Sequence, residues 1–483
     1  MVRKYFELYP NFSPFLNEIR ENGVSPSIIQ KIIEKHSSNS AYNKKLYNRY
    51  MNILDSIPIF SRTPRFVQLD ENGIPTQNII NNKINNDFFS EIVDFKVGYF
   101  AGKPIKYSYS NATESIEATG GIENVDIARK SLTDFVTRNN MYDVDMETTK
   151  YASICGYSGR LFYHDLDGNE RVCAVAPYET IVLSDKSLYE PEYAIRYYET
   201  ENINGRSYLV AEFYDSNSIS IYEGQLSNLV LKNQKLNMYD FCPLQIIPNN
   251  NEMIGDAEKV LALIDAYDRV VSDSSNQIEG QIHSKEVYEN VNITAEEIAK
   301  SNYTGAIQFY NGQGNAKVYK LESNINDSFV QHHLERLRDN IYRFSKTPRL
   351  DDQNFGSTSG VSLKYKLISL EAKCGMFQAK LNSANTYMFK LLASGWGKKQ
   401  LHVDPLQFIC EFTRNFPLDI EAEARATQNL ISAGLPKEIA YNIGLSCIDD
   451  IDFVMQKIEE EENNIPSLER EILEDKEDDE KHE

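Results

Sequence analysis

The chain of 483 residues is short of positive charge: 50 Lys and Arg stand against 71 Asp and Glu, for a formal net charge of -21. A protein that grips nucleic acid by neutralising phosphates has the opposite balance, so tight sequence-specific DNA binding is disfavoured. Long apolar runs are also missing. The longest resemble Val260 to Ile264, far below the roughly 18 residues of a membrane span. The stretch from Met1 to Phe12 lacks the continuous apolar region of a secretory signal. The expectation is a protein that is intracellular when made, with no membrane partner. Cys155, Cys173, Cys242, Cys374, Cys410 and Cys447 form no C-x-x-C pair and have no histidine at zinc-ligand spacing, which points to reduced structural thiols.

The chemistry-bearing motifs fail individually. Gly98-Tyr-Phe-Ala-Gly102-Lys103-Pro104 has the wrong glycine spacing for a phosphate loop and no hydroxyl after its lysine. Gly356-Ser-Thr-Ser-Gly360 imitates a nucleophile elbow, but Thr358 is its central residue and a helix precedes it. Asp165-Leu-Asp-Gly-Asn-Glu170 is one residue short of a calcium loop and reads as a hairpin turn. His332 and His333 are adjacent on a helix, where side chains diverge by about 100°, so they cannot chelate one metal. Asp351-Asp352 and Asp449-Asp450 lack a third carboxylate or lysine at suggestive spacing. No enzymatic constellation, cofactor or metal site is expected.

What is present is ordinary globular composition, 41% hydrophobic and 25% charged, at a length that suggests about three folding units of an α+β class. Helices are predicted from Ser25-Pro26 onward, over Tyr42 to Leu54, over Gln77 to Phe100 and over Val125 to Thr137, with a strand at Ile105 to Tyr109. Leu161 to Ile247 reads as antiparallel sheet, with short β-rich runs between turn signals. A helix follows from Asp256 to Gln281, its apolar face carried by Val260, Leu263, Ile264, Tyr267 and Val271. A hairpin is predicted at Ala306 to Leu321. A second amphipathic helix carries Val330, Leu334, Leu337, Ile341 and Phe344 and stops near Thr347-Pro348. Arg349 to Gly360 reads as a mobile loop, and Leu363 to Leu391 as the longest helix, near 45 Å. A strand at Phe408 to Thr413 and short helices at Glu421 to Ala433, Lys437 to Gly444 and beyond Asp449 complete the reading. Two long helices around an insert of about 45 residues give one chain too little surface to bury their faces, so oligomer packing is expected.

Three blocks carry a resemblance. Tyr342-Arg-Phe-Ser-Lys346-Thr-Pro348, Asn354-Phe-Gly356 and Ser359-Gly-Val-Ser-Leu-Lys364-Tyr-Lys-Leu-Ile-Ser-Leu-Glu371 resemble the signature of tailed-bacteriophage portal proteins, the head-to-tail connectors of siphophages with Gram-positive hosts. Asn81 to Glu91 with Val97 to Tyr107, and Phe412 to Pro417 with the acidic run from Asp449 to Glu462, are similar to that family in the same order. The resemblance implies a ring, normally dodecameric, at one capsid vertex of the virion, assembled in the host cytoplasm. It would be a channel for double-stranded DNA during packaging by terminase and during ejection. The implied partners are other copies of the chain, the terminase large subunit, major capsid and scaffolding proteins and the head-tail adaptor, with DNA passing without sequence specificity.

The portal fold so implied has an N-terminal helical segment (1–40), a wing (41–255), stem helices (256–281 and 326–347) around a clip (282–325), a tunnel loop (348–361), a long wing helix (362–400), a crown (401–456) and an acidic tail (457–483). Lys346, Arg349, Asp351, Asp352, Gln353, Asn354, Lys364 and Lys366 are the channel candidates. One departure is that Ile282 to Tyr288 is polar, where the clip of the family opens with an apolar strand. A helical cytoplasmic scaffold, or a metal-dependent nuclease using the paired aspartates, would give the rival readings. Neither accounts for the motif blocks.

Residues 457–483 hold 13 acids and 4 bases, a net -9, and too little apolar surface to add to a core. Deleting Lys457 to Glu483 is expected to leave assembly intact. Sedimentation of the truncated protein checks this, and failure to assemble would make the tail structural.

Overall fold

The computed structural model describes residues 9–64, 80–110, 121–184, 190–282, 286–289, 294, 296, 317–320, 327–349, 360–415, 420–444, 454–458 and 460. It is an α+β protein whose chain divides into two compact units. One comprises Met1–Leu350 with Leu367–Asn415, and the other Asp351–Lys366 with Phe416–Glu483.

In the first unit, helix α1 (Ser13–Asn22) is followed by α2 (Pro26–Tyr50), which starts on a Ser25 N-cap. α2 is one continuous helix, not the two predicted, and the boundary drawn between residues 40 and 41 falls inside it. The apolar period breaks at His36, Asn39 and Asn43 because these residues are buried and hydrogen-bonded. The Tyr157 hydroxyl donates to Asn39 Oδ1 at 2.9 Å, Asn43 Nδ2 donates to that hydroxyl at 3.1 Å, and His36 Nδ1 lies 2.8 Å from the Tyr197 hydroxyl. Burial pushes His36 down to about 3, against the Asn39 hydrogen bond.

Helix α3 (Phe88–Ala101) starts on the Asp87 cap, eleven residues later than predicted. Residues 80–87, before it, are neither helix nor strand, and their alternate backbone N–H groups run along one face of α6 (Leu261–Ile282). Asn82 donates to Asn276 at 2.6 Å, Ile84 to Ser272 at 2.9 Å and Asn86 to Asp268 at 2.8 Å. The period of two on the segment meets the i, i+4, i+8 spacing of the helix, which local propensity cannot reveal. α6 also begins later than predicted, after a 3-10 turn at Glu258–Val260.

Strand β1 (Lys106–Tyr109) leads to α4 (Gly121–Arg138) and α5 (Met141–Cys155). The predicted antiparallel region is two sheets. β2 (Tyr157–His164) is central between β3 (Glu170–Val175) and β9 (Leu244–Pro248), with His164 opposite Glu170 at the hairpin end. The Asp165 to Glu170 turn is a hairpin as read: Asp165 Oδ1 accepts from the backbone of Asp167 and Asn169. β4 (Thr180–Leu183), β5 (Tyr193–Glu201), β6 (Ser207–Tyr214), β7 (Ser218–Gln225) and β8 (Asn228–Leu236) form a five-stranded meander. α1 and the first half of α2 cover this meander, burying Leu16, Ile19, Ile29 and Ile32 against Ile181, Ile195 and Phe213.

β10 (Glu286–Glu289) pairs with β11 (Lys317–Lys320), setting Glu286 opposite Lys320 and Glu289 opposite Lys317. Of the predicted hairpin, Ala306 to Ala316 lies outside the described residues. Helices α7 (Asp327–Ser345) and α8 (Gly360–Lys398) follow, and β12 (Phe408–Glu411) pairs with β1. Residues 401–415 therefore belong to the first unit, and 401–456 is not one piece. In the second unit α9 (Ile420–Ser432) packs on α10 (Lys437–Gly444) and buries Ala440. Asp449 and Asp450 and most of the acidic tail lie outside the described residues.

The core of the first unit holds a buried cation. Arg160 on β2 is fully buried; its Nη2 lies 2.8 Å from Asp145 Oδ1 on α5 and its Nη1 donates to Asn385 Oδ1 on α8 at 2.8 Å. The Tyr107 hydroxyl on β1 donates to the other Asp145 oxygen at 2.6 Å. Burial raises the Asp145 carboxyl despite the pull of Arg160, so the pair locates elements more than it adds net stability. Arg160→Ala leaves the carboxylate buried without its cation and is expected to cost about 3–5 kcal/mol. The shift in urea midpoint at constant m-value measures it; a loss below about 1 kcal/mol would mean that Asp145 finds another partner.

Candidate functional site: a loop between two helices and a buried charge cluster

Residues 350–359, between the end of α7 and the start of α8, lie outside the described residues. The exit from α7 is set by backbone chemistry. Lys346 adopts φ +60, and the Thr347 N–H reaches back to the Tyr342 carbonyl at 3.0 Å, the six-to-one bond of a left-handed helix terminus. Glycine usually takes that position, so Lys346 holds a backbone conformation that side chains disfavour. Pro348 then prevents the helix from resuming.

The end of α7 is tied to α8 by a lysine. Lys373 Nζ donates to the Ser345 carbonyl at 2.9 Å and lies 3.5 Å from Asp256 Oδ1. Asp256 is also 2.9 Å from Lys96 Nζ of α3, which donates to Asn249 Oδ1 at 2.5 Å and sits 4.7 Å above the Phe377 ring. Two glycines let this carboxylate reach the cluster. A Cβ at Gly255 would stand 2.4 Å from the Ile154 carbonyl oxygen, and one at Gly156, at φ +90, would stand 2.1 Å from that of Met253. Burial works to raise the Asp256 carboxyl, but Lys373 and Lys96, helped by hydrogen bonds from Lys96 and Asn249, hold it at about 2. Burial lowers the Lys373 ammonium even with Asp256 beside it. Further along, Glu371 accepts a two-pronged contact from Arg414, 3.1 Å from Nε and 2.8 Å from Nη2, and a hydrogen bond from the Tyr99 hydroxyl at 2.9 Å.

The channel candidates are dispersed in what the structure describes. Lys346 is exposed at the helix terminus. Arg349 turns back onto α7, 2.5 Å from Asp339. Lys364 and Lys366 lie in the first two turns of α8, Lys366 half-buried. Asp351, Asp352, Gln353 and Asn354 lie outside the described residues.

The apolar positions of α6 and α7 were expected to need a second chain, and much of that face is buried within this one. Val260, Ile264 and Ile341 are buried in one core, with Leu263 and Tyr267 at its edge, against Phe88, Ile92 and Val97, and Leu337 is buried as well. Val271, Val330 and Leu334 are half-buried. Phe344 is 54% exposed because it lies off the line of Leu337 and Ile341. Tyr342 takes the buried place and donates to Glu91 at 2.8 Å. His332 and His333 are both exposed on α7.

Sequence reasoning missed Lys96, Asp256 and Lys373. A signal existed: Lys96 is a lone cation between Val93, Val97 and Phe100 on a helix otherwise apolar on that side, and Lys373 precedes Cys374, which is buried with Leu370 and Phe377 at helical spacing.

A family model described as phage portal protein, SPP1 Gp6-like, matches residues 29–467. The portal protein of Bacillus phage SPP1 is 23% identical over 421 residues, covering 82% of this chain and 79% of that protein. The portal protein of Clostridium phage phiCD119 is 23% identical over 353 residues, 67% of this chain and 73% of that protein.

Because the Asp256 carboxyl is held at about 2 against an ordinary value of about 3.9, its contribution is complete above pH 4 and is lost as pH falls toward 2. The amount is on the order of 2 kcal/mol for this fully buried group. Asp256→Asn is expected to lower stability at pH 7 and to flatten the pH dependence between 4 and 2. Unfolding midpoints at matched protein concentration measure both, and parallel pH profiles for variant and wild type would remove the assignment.

Proposed function

The chain belongs to the phage portal protein family of the SPP1 Gp6-like type, and on that footing we propose that it assembles as a ring, normally of twelve copies, at one vertex of the capsid. The ring is the channel through which terminase drives double-stranded DNA and through which DNA is later ejected, and it is the attachment site of the head-tail adaptor. It carries no catalytic centre of its own. The observation that carries this reading is the family match across 29–467. The loop-bearing helix pair agrees with it. α6 and α7 act as the stem, 282–325 as the clip, 348–361 as the tunnel loop, α8 as the long wing helix and the region from Phe416 as the crown. Major capsid and scaffolding proteins surround it during assembly in the host cytoplasm.

The physics of a conduit fits the acidic balance. A polyanion slides past a wall that does not trap it by releasing counterions, and the net charge is -21. In this reading Asp351, Asp352, Gln353 and Asn354 meet the duplex at the constriction, with Lys346, Arg349, Lys364 and Lys366 in its surroundings.

Electron microscopy of the purified protein is expected to show closed rings with a central hole, and monomers at all concentrations would count against the proposal. Asp351→Lys with Asp352→Lys is expected to keep the rings and to slow packaging in low salt, recovering partly as salt screens the contact. The readout is DNA length protected from nuclease over time, with purified terminase and procapsids. Wild-type packaging at every salt concentration would remove these carboxylates from the DNA path.

A further inference from the structure

Two hairpin tips of the first unit are built alike. At the β2–β3 tip Asp165 Oδ1 accepts from the backbone N–H of Asp167 at 3.1 Å and of Asn169 at 2.9 Å, and Gly168 takes φ +76. At the β5–β6 tip Asn202 Oδ1 accepts from those of Asn204 and Arg206, both at 3.0 Å, and Gly205 takes φ +70. Each tip is a rigid mount, because the side chain of its first residue holds the backbone across the turn. The next residue is Leu166 in one and Ile203 in the other, and both are fully exposed. The turn does not require an aliphatic residue there: the β6–β7 turn is held by Asp215, 2.6 Å from the Asn217 N–H, and carries Ser216. Ile203 has an acidic flank, Glu199 and Glu201 against Arg206, all exposed. At the other end of the meander a cleft of about 530 Å³ lies between β7–β8 and the end of β2, with Tyr163, Ile221, Lys235, Leu236 and Met238 in its lining. Its rim is apolar and open, Leu236 being 81% and Met238 48% exposed. Lys235 has no ion-pair partner among the described residues, whereas Arg196 and Glu212, which also line the cleft, lie 3.9 Å apart and offset each other.

We propose that Ile203 of one copy seats in the cleft of the next copy, with Glu201 beside Lys235. The proposal rests on the ring reading above and names one contact that joins neighbours. The tip cannot fill the cleft of its own chain, since β6 from Ser207 beside the tip to Tyr214 beside the cleft spans about 24 Å. Knob and cleft are therefore different surfaces of one molecule, and their contact is head-to-tail, the kind that closes into a ring. The charges agree in sign, because the acidic flank of the knob meets a cation that its own chain leaves unpaired. A cleft of this size lies within the range that encloses a compact apolar group. Leu166 does not serve in the same way. It follows Tyr163 and His164, which line the cleft itself, so that a contact through it would be self-complementary, joining two copies and stopping there.

The test follows assembly by sedimentation over a range of protein concentrations, for wild type, Ile203→Asp and, as the control that alters the other exposed tip, Leu166→Asp. Ile203→Asp is expected to raise the concentration at half assembly about ten- to a hundredfold, the effect of an aliphatic side chain that is no longer buried. Leu166→Asp should leave it unchanged. Glu201→Lys and Lys235→Glu are each expected to raise it, and the two in one chain to recover part of the loss, which damage to the fold would not do. The contact is read directly by co-expressing Ile203→Cys chains with Met238→Cys chains and oxidising them in air. Disulfide-linked dimers are expected from the mixture and from neither variant alone. Unchanged assembly in Ile203→Asp, an equal effect in Leu166→Asp, or no cross-link from the mixture would overturn the proposal. Electron microscopy of the same samples separates the two levels: cross-linked chains without rings defeat the ring reading and keep the contact, and rings without cross-links defeat the contact alone.

Discussion

The first unit depends on buried charge along one long helix. α8 presents Glu371 to Arg414 and Tyr99, Lys373 to Asp256 and the end of α7, and Asn385 to Arg160. Lys373 and Asn385 are twelve residues apart, about 18 Å along the axis. Apolar packing alone would tolerate sliding or rotation of so long a helix, because hydrophobic burial is not directional. Buried ions are directional, since each left unpaired is costly. The two clusters differ in kind. Asp256 has two lysines and is held strongly acidic, whereas Asp145 has one arginine and is raised by burial. The first stabilises the fold at neutral pH, and the second chiefly fixes where β1, β2, α5 and α8 meet.

This arrangement bears on function through Lys373. Its ammonium joins the last turn of α7 to α8 and, through Asp256, to the turn that leads into α6. The end of α7 is thereby referenced to the body of the unit. The left-handed Lys346 and the following Pro348 turn the chain out of the helix within three residues. One face of α7 packs on α3 and α6 through Ile341 and Tyr342, and His332, Arg336 and Arg343 on the other are exposed.

The long α+β organisation, the hairpin at Asp165 to Glu170, the amphipathic faces of α6 and α7 and the length of α8 were legible because each is a local pattern: a period of two or 3.6, or a turn residue at a fixed offset. The motif blocks around Tyr342 to Glu371 were legible as a family signature. Other features were not. α2 was read as two helices because His36, Asn39 and Asn43 interrupt its apolar period, yet they are buried polar residues hydrogen-bonded to Tyr157 and Tyr197, far away in the chain. The stretch before Phe88 was read as helix, although residues 80–87 are irregular and bonded to α6.

The sequence by itself therefore determined many of the helices and strands, the acidic balance and the family. Those depend on neighbours in the chain and on residue types in fixed order. Only the tertiary structure decided that Lys96 and Lys373 share Asp256, that α6 and α7 bury much of their apolar face inside one chain, and that Arg349 takes Asp339. The reason is physical: the state and reach of a charge are set by the low-dielectric surroundings and partners that folding brings to it, and residues separated by more than a hundred positions supply them.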